Sequence, residues 1–158
     1  MSSPPLVLDD FIPFRLSFTS NLVSDTIARA YETLFGLTIP EWRLIAVVAE
    51  GGITQAAVGA RTRMDKVTVS RAAIALVGRG LLHRVHNPDD GRSHLLGLTD
   101  AGRELHGQIA PKALELEKRI FARIDPDEIT RFVATLRRID AITLAIGASA
   151  GEPGPHAD

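Results

Sequence analysis

The chain has 158 residues, of which 45% are hydrophobic and 23% are charged, with a formal net charge of −1 and no cysteine. This composition predicts one folded domain and excludes a disordered chain, disulfide scaffolds, thiolate zinc sites and cysteine-based redox sensing. No apolar run approaches the roughly 20 residues of a membrane helix, and the first ten residues lack the features of a signal peptide. We therefore expect no membrane partner and a cytoplasmic location.

The first predicted element is a long amphipathic helix over residues 11–35, which has apolar residues at helical spacing and ends at Gly36. A second helix is expected from about residue 39. Thr38 and Glu41 have the spacing of a capping box, in which each side chain binds the backbone amide of the other residue.

Two helices joined by a tight turn come next. Thr54 predicts the start of a short helix over about 55–62, and a further helix over about 65–79 follows it. One face of that further helix is small and apolar, with Val69, Ala72, Ala73 and Leu76. The other face carries Val67, Thr68, Ser70, Arg71, Ile74 and Ala75.

The runs LLHRVHN and HLLGLT flank the turn-rich segment PDDGRS, so they predict two short strands of a β-hairpin. Thr99 predicts the start of a long helix, and Asp125 predicts the start of the last one. Residues 147–158 are rich in glycine and proline and are expected to be a disordered tail.

Charge is concentrated in the middle of the chain. Residues 61–94 carry a net charge of +4, and the remainder carries −5. An ordinary solvated surface would explain this alone. A DNA-reading helix, however, needs a small polar outer face near its N-terminus, and Thr68, Ser70 and Arg71 provide one.

The hairpin tip strengthens this interpretation. Asp90 lies two residues before Arg92, so we expect its carboxylate to hold the guanidinium in an extended pose. A fixed arginine at a loop tip suits the narrow minor groove of DNA. The alternative is a surface turn with an incidental ion pair.

These segments resemble the MarR (multiple antibiotic resistance regulator) family. The helix DKVTVSR leads to GRGLL, Asp90-Gly91-Arg92 lies at the hairpin tip, and Leu98-Thr99-x-x-Gly102 follows. The run IPEWRLIAVVAE is similar to the family's helix before this module. The resemblance covers nearly the whole chain and implies a homodimer with two winged helix-turn-helix modules and a small-molecule pocket.

The predicted fold class is mainly α with a small β-hairpin wing, in a winged helix-turn-helix module plus a helical dimerisation layer from both termini. Residues 1–146 would form a single MarR-like domain. Its parts are dimerisation helices at 9–36 and 125–146, the winged module at 38–98 and a connecting helix at 99–123.

The resemblance and the residue pattern together give candidate contacts to double-stranded DNA: Thr54, Arg63, Lys66, Thr68, Ser70, Arg71, Asp90, Arg92 and Ser93. The family's polar positions late in the recognition helix are Ile74 and Ala75 here, so the candidate contacts on this helix end at Arg71. Gly59 also departs from the pattern, because a larger residue is usual inside that helix.

The implied pocket has candidate effector residues Arg15, Phe18, Trp42 and His106. An anionic aromatic ligand needs an arginine and aromatic walls, and by family analogy it would be a phenolic or aromatic carboxylate or its coenzyme A thioester. Alternatively, the stem of Arg15 packs on a dimer interface while its head reaches water.

We expect this protein to have no enzymatic activity and to bind no metal or cofactor. His83 and His86 fall on opposite faces of a strand, and adjacent aspartates on exposed loops do not make an acid-base site. The sequence therefore predicts a ligand-responsive transcriptional regulator, a repressor released by a small effector. The alternative is a ligand-independent architectural or protein-interaction winged-helix protein.

Overall fold

The computed structural model describes residues 4–150, which form six α-helices and one β-hairpin after a short 3-10 turn at Leu8–Asp10. The elements in chain order are α1 (Ile12–Phe35), α2 (Ile39–Ala49), α3 (Gln55–Thr62), α4 (Lys66–Gly78), β1 (Leu82–His86), β2 (His94–Leu98), α5 (Asp100–Phe121) and α6 (Pro126–Ala150). The fold class is the predicted one. Two compact units divide within α5, between Leu114 and Glu115.

Helix α1 ends, and helix α2 begins, where the sequence predicts. Gly36 has a φ of 61° and its amide donates to the Glu32 carbonyl at 3.0 Å, which closes α1 in the left-handed conformation that glycine favours. The Thr38 amide donates to the Glu41 carboxylate at 2.9 Å, and the Glu41 amide donates to the Thr38 hydroxyl at 3.3 Å. The predicted capping box therefore fixes the start of α2.

Side-chain caps also begin α3, α4 and α6. The Thr54 hydroxyl accepts from the Ala57 amide at 3.2 Å, and the Asp65 carboxylate accepts from the Thr68 amide at 2.8 Å. Asp125 accepts from two amides of the first turn of α6. Each cap satisfies an amide that has no partner within the helix.

An apolar core fixes the orientation of α4. Its predicted inner face, which consists of Val69, Ala72, Ala73 and Leu76, is buried. Core residues from other elements include Leu44, Ile45 and Val48 of α2, Val58 of α3, and Leu81, Leu82, Leu96 and Leu98 of the hairpin region. Each large aliphatic side chain buried in this way stabilises the fold by about 1.5–3 kcal/mol. The opposite face of α4 is consequently directed to solvent.

The hairpin is antiparallel, with Leu82 opposite Leu98 and His86 opposite His94. An isolated bridge, which the sequence did not predict, joins it to the segment before α3. The Leu96 amide donates to the Ile53 carbonyl at 2.8 Å, and the Ile53 amide donates back at 3.3 Å. This bridge fixes the hairpin relative to the start of α3.

A close approach joins the hairpin to α5. The Thr99 hydroxyl donates to the Gly80 carbonyl at 2.6 Å and accepts from the Gly102 amide at 3.0 Å. A β-carbon at position 102 would overlap the Leu81 carbonyl oxygen. The Leu98-Thr99-x-x-Gly102 motif thus has a physical role, because a glycine is needed where α5 begins against the backbone of the preceding segment.

The second unit contains the C-terminal part of α5 and α6. Helix α6 continues to Ala150, past the expected end at 146, so the predicted disordered tail begins too early. Residues 151–158, the rest of that tail, lie outside the described residues. Several large apolar side chains of α6 are exposed: Phe132, Val133, Ile142, Leu144 and Ile146. Within residues 4–150, no helix combines the length and apolarity that crossing a membrane requires.

Candidate functional site

The turn between α3 and α4 is held by a strained residue. Arg63 has a φ of 59°, which is the left-handed region that residues other than glycine rarely adopt. The Thr62 hydroxyl donates to the Val58 carbonyl at 2.7 Å and accepts from the Met64 amide at 3.3 Å. These contacts fix the angle between the two helices and leave the Arg63 side chain exposed.

Asp65 organises the start of α4. Hydrogen bonds from the amide and then the hydroxyl of Thr68 hold the pKa of the Asp65 carboxyl below its usual range. The hydroxyl donates to Asp65 at 2.8 Å, so its proton is already in use. Thr68, an expected DNA contact, is half-buried and can offer a ligand only an acceptor lone pair.

The solvent-facing side of α4 is only partly polar. Arg71 and Lys66 are exposed, and Ser70 is half-buried. Val67 is 57% exposed and Ile74 is 60% exposed, on either side of Arg71 along the helix. The sequence places both apolar residues on this face, but its periodicity alone suggests no role for Val67.

The hairpin tip differs from the expected arrangement. Asp90 accepts from the backbone amide of Arg92 at 3.0 Å, and within residues 4–150 no ion pair joins its carboxylate to the Arg92 guanidinium. The expectation that Asp90 holds the guanidinium was wrong, because its carboxylate instead accepts from the backbone amide of Arg92. The Asn87 side chain donates to the Ser93 hydroxyl at 2.9 Å and closes the turn.

Two of the basic residues in 61–94 have a carboxylate or backbone carbonyl as a partner in the fold. Arg61 forms an ion pair with Glu50 at 2.7 Å, and Arg79 donates to the carbonyls of Gly36 and Phe35. In the described part of the chain, the others have no ion-pair partner: Arg63, Lys66, Arg71, Arg84 and Arg92. This set gives the winged module a positive surface that a polyanion would neutralise.

A concavity of about 390 Å³ lies between the start of α3 and the hairpin. Its walls bring together four of the predicted contacts, Thr54, Asp90, Arg92 and Ser93. They also contain residues that sequence reasoning missed: Gln55, Ala56, Arg84, Asn87 and His94. The combination of helix amides with arginines suits a phosphate.

Arg84 illustrates why these residues were missed. Its guanidinium donates to the Gln55 side chain at 3.4 Å, across 29 positions of sequence. No local pattern predicts that pairing. It follows from the Ile53–Leu96 bridge, which brings the hairpin to the start of α3.

The expected effector residues lie in two pairs. The rings of Trp42 and His106 are stacked, with centroids 6.0 Å apart. The Arg15 guanidinium carbon lies 5.2 Å from the centroid of the Phe18 ring. Tyr31, which sequence reasoning missed, has its ring 5.4 Å from Trp42. Arg15 and Tyr31 are sixteen residues apart on α1, which corresponds to about 24 Å along the helix axis. The two pairs therefore do not form a single binding site within one chain.

Tyr31, Trp42 and His106 form what we call the aromatic cluster. Tyr31 is buried, and this burial raises the pKa of its phenol. Trp42 and His106 are half-buried, so their edges are accessible to a ligand. Flat apolar surfaces with polar atoms at their edges suit an aromatic ligand.

Residues 4–150 contain no group of three or more histidine, aspartate or glutamate side chains that could hold a metal ion. Of the two described ion pairs, both exposed, one joins Glu50, the residue after α2, to α3, and the other lies within α5. The distinctive chemistry of these residues is therefore the cationic winged surface and the aromatic cluster.

Comparison with known proteins gives concordant results. The model of the MarR family matches residues 35–93. An uncharacterised protein of Mycobacterium tuberculosis is 33% identical over 104 residues, which cover 66% of this chain and 73% of that protein. The crystal structure of a probable transcriptional regulator from Pseudomonas aeruginosa is 32% identical, with a TM-score of 0.69, and the match covers 84% of this chain and 99% of that one.

A further solved structure has a ligand. CouR from Rhodococcus jostii RHA1, whose crystal structure contains p-coumaroyl-CoA, is 26% identical to this chain with a TM-score of 0.76. The match covers 85% of this chain and 95% of CouR. The likeness therefore extends well beyond the segment that the family model matches.

Proposed function

Because this chain belongs to the MarR family of transcriptional regulators, we propose that it is a homodimeric repressor that binds pseudo-palindromic DNA and is released by a small aromatic effector. Regulators of this family bind DNA and are not enzymes, so the candidate contacts are sites of binding and not of catalysis. The winged module at 38–98 would contact the DNA.

The observation that carries the proposal is the set of unneutralised cations on one module. Core packing directs Arg71 outward on α4, while Arg92 and Arg84 line the concavity at the hairpin. In a winged module, α4 enters the major groove and the hairpin tip reaches the adjacent backbone or minor groove. Thr54, Arg63, Lys66, Ser70 and Ser93 would add contacts near phosphates.

The proposed dimer rests on apolar surface at both ends of the chain. Large side chains are exposed on α1 at Ile12, Phe18, Leu22 and Leu34, in addition to those of α6. Exposed apolar surface of this extent is typical of an interface between subunits. We therefore assign residues 9–36 and 125–146 to dimerisation, and two-fold symmetry would make the operator a pseudo-palindrome.

DNA binding is tested with a duplex that the wild-type protein enriches from a random-sequence pool. By fluorescence anisotropy, Arg71→Ala and Arg92→Ala should each weaken binding by about 1–3 kcal/mol per subunit. Arg123→Ala, which removes an exposed arginine outside the winged module, is the matched control and should bind as the wild type does. Failure to enrich any sequence, or unchanged affinity of both variants, would refute the proposal.

The effector site is proposed at the aromatic cluster. CouR supplies the chemistry of the ligand class, which is a phenolic acid or its coenzyme A thioester. Trp42 and His106 would contact its ring. Arg15 and Phe18 lie too far along α1 to join them in one chain, so an Arg15–carboxylate contact requires the second copy.

Trp42 is the only tryptophan, so its fluorescence reports on this cluster directly. Titration with p-coumarate and p-coumaroyl-CoA should change the emission and release the labelled duplex. Arg15→Ala should bind the duplex normally but resist release, since Arg15 is outside the winged module. Full release of this variant at the wild-type concentration would show that Arg15 is not required, and wild-type binding unaffected by these compounds would refute this ligand class.

A further inference from the structure

Val67 has an exposure that neither the helix nor the core explains. It occupies the second position of α4 and is 57% exposed, whereas Val69, two residues later, is 1% exposed. β-Branched valine is a poorer helix former than alanine, so the helix gains nothing from it on the surface. Its side chain contributes chiefly an apolar contact surface beyond the protein's own core.

The position of Val67 specifies what it would touch. The Asp65 cap fixes the first turn of α4, and the N-terminal residues of a recognition helix are those that meet base edges. Arg71 lies four residues later on the same exposed side of the helix. Among the standard DNA bases, only thymine presents a methyl group in the major groove.

We propose that Val67 contacts the C5-methyl group of a thymine in each half-site and thereby helps to set operator specificity. This inference rests on the proposed DNA-binding function. Val67 and Arg71 are separated by about 6 Å along the helix axis, close to two base-pair steps. The thymine should therefore lie about two base pairs from the position that Arg71 contacts.

Substitution of deoxyuridine for thymidine tests the contact, because it removes only the methyl group. The duplex enriched by the wild-type protein is resynthesised with one symmetric pair of thymidines replaced at a time. At one pair of positions, wild-type affinity should fall about fourfold per half-site, the effect of one buried methyl group. Val67→Ala should bind the thymidine and deoxyuridine duplexes equally at that pair.

Ile74→Ala is the matched control, because Ile74 is 60% exposed on the same helix. This variant should keep the preference of about fourfold per half-site at the pair of positions that depends on Val67. Circular dichroism should show the same helix content in all three proteins. Two results would overturn the inference while leaving DNA binding established. In one, no deoxyuridine substitution changes wild-type affinity; in the other, Val67→Ala still prefers thymidine to deoxyuridine at that pair. Failure to enrich any sequence would instead refute the proposed function.

Discussion

Arg63 combines backbone strain with an exposed charge. A residue other than glycine in the left-handed region costs roughly 1–2 kcal/mol, so this position is not optimised for stability. Arg63→Gly should raise the free energy of unfolding by up to about 1 kcal/mol. The same variant should bind DNA more weakly, because a phosphate contact is lost. The slope of log affinity against log salt concentration should decrease in magnitude by about one per subunit. Urea unfolding and anisotropy at several salt concentrations measure the two effects. An increase in DNA affinity would contradict this role.

Asp90 is best tested by comparing two substitutions. Its carboxylate oxygen accepts from the Arg92 amide, so Asp90→Ala should loosen the hairpin tip and weaken DNA binding. Asp90→Asn keeps an acceptor oxygen and should bind nearly as tightly as the wild type, and removal of a negative charge near DNA can only help it. Equal losses in both variants, measured by anisotropy, would instead support an ion pair with the guanidinium.

Tyr31 gives a pH dependence that can be isolated, since it is the only tyrosine. Burial raises the pKa of its phenol above the ordinary value of 10.0. The folded state then binds the phenolic proton more tightly than the unfolded chain. The stabilisation of the fold by the protonated Tyr31 phenol is fully present below pH 10. It is lost as the pH rises through the pKa of the folded state. In urea unfolding between pH 9 and 11, wild-type stability should fall more steeply than that of Tyr31→Phe. If the unfolding free energies of the two proteins change in parallel with pH, burial does not raise the pKa of Tyr31.

At the scale of elements, the junction of the hairpin with α5 depends on Gly102. Gly102→Ala should lower the free energy of unfolding by about 1–3 kcal/mol, because the new methyl group must displace the Leu81 carbonyl. Gly107→Ala in the same helix meets no atom within 4 Å and should stabilise α5 by up to about 1 kcal/mol. Thermal unfolding measures both, and equal effects of the two substitutions would contradict the close approach.

The elements also show how far the sequence could predict this fold. The starts of α2, α3, α4 and α6 were predictable because each cap involves residues within three positions of one another. The inner face of α4 was predictable from its helical period. The Ile53–Leu96 bridge and the Gln55–Arg84 contact were not, because they join residues far apart in sequence. The Asp90 prediction failed for a different reason, since the Asp90 carboxylate binds the Arg92 backbone amide in a tight turn and not the arginine side chain.

At the scale of the whole molecule, the proposed repressor would depend on the spacing of its two winged modules. A ligand shifts such an equilibrium only through its different affinities for the competent and incompetent arrangements. A coupling free energy of about 1–3 kcal/mol between effector binding and DNA binding would give a graded response. The proposed dimerisation helices carry many of the exposed large apolar side chains, while the arginines proposed to contact DNA lie in the winged module. The proposal thus assigns assembly and DNA recognition to different segments of the chain.

Hydroxyl-radical footprinting of the wild-type protein on its enriched duplex tests the central claim most directly, because it reports both the contacts and their symmetry. We expect two equivalent protected half-sites related by a two-fold axis, with their centres about one helical turn, or roughly 10 base pairs, apart. A single asymmetric protected site, or no protection at concentrations that saturate the anisotropy signal, would contradict a dimer that binds DNA through two winged modules.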